Sequence, residues 1–358
     1  MMTHWWKILA LLLLGYSLVA GMLIPLKPGI LSIDQTTADA GSQVRLTVTG
    51  YNTSFSDAES LRVWLKFDDR FAVSGDIVEV VGPRTVVLDF TIPGVFPYRP
   101  DALDLSLVID HPVDGAFVMP GALFIRPSSV TEMDESAAAE AWNGQISNLH
   151  DRQGISFPFR SILYETIRNT FYHVPLWFAM IALLAASMGH SVKYLRGFDA
   201  HHDRRAAALA HVGLLFGILG LVTGAIWANY SWGKPWSNDI KQLVSAIALL
   251  IYLAYFVLRM AFDSPEQRAR VSAVFNIFAF AALIPLLFVI PRLNAIDSLH
   301  PGNAGNPGFG GEDLDNTMRL VFYPAIIGWI LLGLWMAGLS ARYFAVRDRL
   351  LDEGEHND

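Results

Sequence analysis

Hydrophobic positions along this chain repeat in two different ways. Six apolar runs of roughly 20 residues, enough helix to cross about 30 Å of hydrocarbon, fall at 5–26, 173–194, 207–230, 240–262, 271–290 and 320–343. From 31 to 130 the period drops to two, as in Gln43-Val44-Arg45-Leu46-Thr47-Val48-Thr49 and Thr85-Val86-Val87-Leu88-Asp89-Phe90, with Gly, Pro, Asp and Asn between the short runs. That stretch predicts about seven antiparallel strands, the size of an immunoglobulin-like sandwich without the cysteine pair of a true one. Residues 131–154, rich in Ala, Glu, Asp, Asn and Gln, read as a partly helical connector. In 155–170, Phe157, Phe159, Ile162, Leu163 and Ile167 are mixed with Arg160, Glu165 and Arg168, a pattern for a helix lying along a membrane surface.

The expected fold is an all-α polytopic membrane protein with six transmembrane helices and an inserted all-β domain. Its parts are a first helix within 1–30, the β domain at 31–130, a connector and interfacial helix at 131–171, a five-helix membrane part at 172–343 and a tail at 344–358. The first run follows His4 and carries Lys7, so a signal peptide and a membrane anchor are both open readings. It is longer than the roughly 7–15 residues of a secretory core, and Val19-Ala20-Gly21 is a poor cleavage site, which favours a retained helix.

Composition narrows the class. A mean hydropathy of +0.37, with 53% apolar and 16% charged residues, is too apolar for an ordinary soluble enzyme. The chain has no cysteine, which excludes disulfides, thiolate metal sites, redox Cys-x-x-Cys and covalent haem attachment through Cys-x-x-Cys-His. A formal charge of -7 argues against a nucleic-acid partner.

Basic residues set the orientation. Lys193, Arg196, Arg204, Arg205, Arg259, Arg268, Arg270, Arg342, Arg347 and Arg349 fall on one side, against Lys234, Lys241, Arg292 and Arg319 on the other. By the positive-inside rule both termini are cytoplasmic and the β domain is outside.

With that topology His173, the loop 227–239 and His300 share the outer surface, whereas His190, His201, His202 and His211 fall on the cytoplasmic side. The loop holds Trp227, Trp232, Gly233, Lys234, Pro235, Trp236 and Asp239. An aromatic belt accounts for any single tryptophan at the headgroup level. It requires neither the Gly-Lys-Pro turn nor the adjacent acid, and a shelf of indoles suits a large planar ligand such as a porphyrin. Porphyrin iron takes two axial ligands, for which neutral imidazole is a usual partner, so His173 and His300 are the candidate ligands. Lys234, Arg292 and Arg319 are candidate partners for the two propionates, with snorkelling at helix ends as the competing account.

These residues resemble a known family. Tyr172-His173-Val174-Pro175, Thr223-Gly224-Ala225-Ile226-Trp227, the block Trp232-Gly233 to Trp236 with Asp239, and Leu299-His300 are similar to the WWD domain of CcmC, the haem-handling family of cytochrome c maturation. The resemblance implies haem b on the outer, periplasmic face of a bacterial inner membrane, with His173 and His300 as axial ligands and Trp227, Trp232, Trp236 and Asp239 as platform. It also implies delivery to a periplasmic haem chaperone (CcmE-like), helped by a small membrane subunit (CcmD-like) and an ABC-type complex (CcmA- and CcmB-like), with the chain a carrier and not an enzyme. Two departures stand out: Ser237-Asn238 precedes Asp239 where the family has a further tryptophan, and the β domain interrupts a connection that is short in the family. The competing readings are a CcsA-like cytochrome c synthase component, which normally has more helices, a b-type electron-transfer cytochrome and a transporter.

Overall fold

The computed structural model describes residues 4–55, 60–98, 103–130, 132–161, 163–293, 298–300 and 314–355. Ile162, one of the apolar positions of the 155–170 pattern, lies outside them. The chain forms two compact units, one of Met1–Leu23 with Glu165–Asp358 and one of Ile24–Tyr164.

The second unit is built on two sheets. Strands β1 (Gly29–Ile33), β2 (Thr37–Ala38), β3 (Gln43–Tyr51), β4 (Arg62–Lys66), β5 (Ala72–Ser74), β6 (Asp76–Gly82), β7 (Thr85–Thr91), β8 (Val95–Phe96), β9 (Asp104–His111), β10 (Gly115–Ile125) and β11 (Glu132–Met133) follow in chain order. One sheet runs β1-β3-β7-β6 and the other β2-β10-β9-β4-β5, with a small β11-β8 pair beside them. Alternation decides which side chains point inward. Val44, Leu46 and Val48 of β3 and Val86, Leu88 and Phe90 of β7 share one core with Val63 and Leu65 of β4 and Leu105, Leu107 and Ile109 of β9.

This unit extends beyond the expected 31–130. Helix α2 (Glu135–Ala141) buries Ala138, and the Trp142 that caps it is 2% exposed, with its indole N–H donating to the Val95 carbonyl at 2.7 Å. An apolar pair at i and i+4 is one face of a single turn, too short to register as a period. Residues 155–161 are irregular, and a 3-10 helix, Tyr164–Phe171, leads into α3. Pro158 disfavours helical backbone at Phe157, which makes a strand-like bridge to Leu26.

Among the described residues six helices are long and apolar enough to cross a membrane, and the chain is a polytopic membrane protein. They contain α1 (Trp5–Leu23), α3 (Val174–Gly197), α4 (Ala200–Trp232), α5 (Ile240–Met260), α6 (Pro265–Ile284) and α7 (Asn316–Glu355). Helix α4 begins seven residues before the apolar run, because Asp199 caps it through the His201 N–H. Helix α6 gives way to a π turn at Pro285–Val289, where Pro285 removes a backbone donor. Helices α3 and α4 approach closely where Gly213 faces Leu184 and Gly217 faces Met180. Helix α1 runs antiparallel to α7, with the Tyr16 hydroxyl donating to the Leu320 carbonyl and Ser17 to that of Val321. The end of α1, the start of α3, the α4–α5 turn and residues 298–300 therefore gather at one end of the bundle.

Candidate functional site

Helix α4 carries the site on a single stripe. Gly220, Thr223, Gly224 and Trp227 stand at i, i+3, i+4 and i+7 and so share a face. His173, at the N-cap of α3, lies against this stripe with Nδ1 3.0 Å from the Thr223 hydroxyl oxygen. That hydroxyl has one proton, and the carbonyls of Leu219 and Gly220 at 2.9 and 3.0 Å take it. Its oxygen consequently accepts the imidazole Nδ1–H, which leaves Nε2 of His173 as a bare lone pair. Gly224 makes room for the ring, since a Cβ there would stand 2.7 Å from His173 Cε1. Trp177 packs edge-on against the same imidazole at 6.2 Å, itself seated over Gly220.

His300 meets the same stripe at Trp227, about one turn beyond Thr223. Its ring lies 5.8 Å from Trp227 and 4.8 Å from Trp232, and the two indoles meet each other at 5.1 Å and 77°. Asp239 orients it: His300 Nδ1 lies 2.8 Å from Asp239 Oδ1, while Oδ2 accepts the Leu299 N–H at 2.8 Å. The same carboxylate caps α5 through the Lys241 N–H at 2.9 Å. Burial pushes this carboxyl up, but the bonds from His300, Ser298 and Leu299 outweigh it and hold the group well below the usual carboxylate range. Asp239 therefore accepts the Nδ1–H of His300, and among the described residues Nε2 of this second ring has no hydrogen-bond partner.

The structure thus brings together His173, Trp227, Trp232, Asp239 and His300. The other candidates occupy the surroundings. Gly233 takes φ +76° as the left-handed cap that ends α4, a conformation glycine adopts freely. Trp236 is 39% exposed, with its indole N–H turned to Asn238 Oδ1 at 2.8 Å, and Lys234 is exposed. Arg292 donates to the Phe288 carbonyl at 2.7 Å and lies over that ring, and Arg319 donates to Asn316 at 3.1 Å. The sequence reading missed Thr223 as a partner, Gly224 as a seat and Gln242 altogether. Gln242, 7% exposed, holds the loop by accepting from the Ser237 N–H at 2.9 Å and donating to the Pro235 carbonyl at 3.2 Å. Asp239-x-x-Gln242 has the spacing of a capping box, which was the available signal.

A fit to iron porphyrin follows from the donor set: two imidazoles with their Nδ1 atoms engaged and, among the described residues, no partner at Nε2, beside two indoles. A family profile described as heme exporter protein C matches residues 159–353, more than half of the chain. Heme exporter protein C of Bradyrhizobium diazoefficiens is 30% identical over 168 residues, covering 47% of this chain and 62% of that protein. Its counterpart from Paracoccus denitrificans is 28% identical over 191 residues, or 52% and 76% of the two chains. A shorter match, 46% over 64 residues and 17% and 20% of the chains, is to cytochrome c biogenesis protein CcsA of Thermosynechococcus vestitus. The family profile covers all of the site residues, and the chain belongs to the heme exporter protein C family.

Proposed function

We propose that this chain is a haem carrier and not an enzyme: it holds haem b at the periplasmic face of an inner membrane between His173 and His300 and passes it to a periplasmic haem chaperone for cytochrome c biogenesis. The observation that carries the reading is the matched state of the two imidazoles, each tied through Nδ1 to a protein acceptor, Thr223 or Asp239. Such partners fix tautomer and orientation and raise ligand basicity. Trp227 and Trp232 supply flat apolar surface beside His300, and Lys234, Arg292 and Arg319 are the cations for the propionates. When bound, the cargo supplies iron that accepts both Nε2 lone pairs.

The names of the related proteins support haem handling in cytochrome c biogenesis. Partners on this reading are the chaperone, a small membrane subunit and an ABC-type complex. The basic-residue asymmetry supports cytoplasmic termini and a periplasmic β unit. Strand orders β1-β3-β7-β6 and β2-β10-β9-β4-β5 follow the two-sheet plan of immunoglobulin-like sandwiches, which supports that assignment. The CcsA match makes a synthase component the second reading.

The test is an absorption spectrum of the detergent-purified protein, oxidised and reduced. A low-spin bis-imidazole haem is expected, lost or altered in both His173→Ala and His300→Ala. A spectrum unchanged in either variant removes that residue as a ligand.

A further inference from the structure

A groove on the flank of α4 remains outside the histidine pair. It encloses about 590 Å³ between the last turn of α1, the Tyr164–Phe171 turn and α4, with Met22, Arg168, Tyr172, Ile226, Trp227 and Tyr230 in its walls. That volume falls within the roughly 300–1,000 Å³ of small-molecule sites. Its chemistry is divided: α4 presents Ile226, Trp227 and Tyr230, whereas the opposite wall presents the ion pair of Arg168 and Glu165, with Arg168 also donating to the Gly21 carbonyl at 2.7 Å. Met22, Ile226 and Tyr230 are 56, 55 and 78% exposed. On helices that cross a membrane, such a flank opens toward lipid.

Two links join the groove to the site. Trp227 lines the groove and also lies 5.8 Å from the His300 ring at 33°. Across from it, the Asn169 carbonyl accepts the backbone N–H of His173 at 2.8 Å, and Asn169 is itself a wall residue. The indole of Trp227 therefore stands as the partition between a lipid-facing groove and the imidazole pair.

We infer that the groove is a lateral port through which haem, a flat apolar metal chelate bearing two carboxylates, moves from the bilayer to the histidines. This rests on the haem-carrier reading. The aromatic wall matches the ring, and the opposite wall carries Arg168, a cation that already holds one carboxylate, that of Glu165, in the geometry a propionate would use.

Ile226→Trp fills the groove without touching either histidine. With the full-length protein in phosphatidylcholine nanodiscs and haemin predissolved in the lipid, uptake followed at the Soret band slows at least tenfold while the final spectrum matches wild type. Val222→Trp, one turn away and outside the walls, loads at the wild-type rate and controls for bulk on that flank. Ile226→Ala, which opens the groove, loads at least as fast as wild type. Wild-type uptake in Ile226→Trp overturns the port, as does slow uptake in Ile226→Ala. A changed final spectrum in Ile226→Trp overturns it too, since the groove then belongs to the seat itself. An unaltered spectrum in both His173→Ala and His300→Ala is a separate result that removes the parent reading.

Discussion

Asp239 grips His300 by Nδ1 at 2.8 Å with the carboxylate that also caps α5 at the Lys241 N–H. One side chain thereby fixes both the start of a helix and the direction of a ligand that arrives from a connection about 60 residues later. An acid in this position counts for more than the platform role that sequence reading gives it.

The two duties separate in Asp239→Asn. Asparagine caps helices about as well as aspartate, so the thermal midpoint stays near wild type. Its neutral carbonyl is a weaker acceptor for Nδ1–H than a carboxylate, and loss of such an orienting partner lowers metal affinity about 10–100-fold. Haem titration of the apo-protein, set beside a melting curve, measures both. Equal haem affinity in the variant would show that His300 needs no orienter.

Gly224→Ala sets helix propensity against the site. Alanine favours helix by roughly 0.5–1 kcal/mol over glycine, so α4 itself does not suffer. Its methyl would stand 2.7 Å from His173 Cε1, and the imidazole must move. The expected outcome is a fold of unchanged or higher stability with the low-spin haem spectrum weakened or converted to high spin. Retention of the wild-type spectrum would place the His173 ring elsewhere than against this glycine.

Thr223→Val keeps the shape of the side chain and removes the oxygen that accepts from His173. A loss of haem affinity of the same order, about 10–100-fold, is expected, with recovery in Thr223→Ser, which restores the hydroxyl. Failure of serine to recover binding would trace the effect to packing and not to the hydrogen bond.

The parts of this molecule that were legible in the sequence are those whose signal is a long period. Six apolar runs gave the spanning helices, and alternation in β3 and β7 gave the sheets, because burial of one face over many residues leaves a repeat. Helix α4 starts at Ala200, where only the Asp199 cap marks it, and α2 contributes a single apolar pair, Ala138 and Trp142, to the core. Neither feature has enough length to produce a period. His173 and His300 were visible as residue types that the expected topology puts on one side, yet their supports were not. The contact of Thr223 with His173 spans 50 positions and that of Asp239 with His300 spans 61, so only tertiary packing reveals them.

In the β unit, Asp110 is a wholly buried acid held by Arg62 at 2.9 Å, the His150 N–H at 2.8 Å and the His150 ring at 2.8 Å. Burial pushes its carboxyl up, but these partners outweigh burial and keep it below the ordinary range. A depressed value in the folded state means that its contribution is complete above the unfolded value of about 3.9 and fades as pH falls through the folded one. The Ser147 and Asn148 carbonyls also bond to Arg62, and the His150 carbonyl accepts the Ala116 N–H at 2.8 Å, so the segment around His150 is what this acid fastens to β4, β9 and β10. Amide hydrogen exchange of residues 147–152 in the full-length protein is expected to quicken below about pH 4, ahead of β3 and β7, whose cores hold no such acid. Asp110→Asn removes the acceptor charge and costs about 1–3 kcal/mol of protection there, with Arg62 partly open to solvent screening. It also flattens the pH dependence of that segment. A variant in which protection still falls with acid would assign the dependence to another carboxylate.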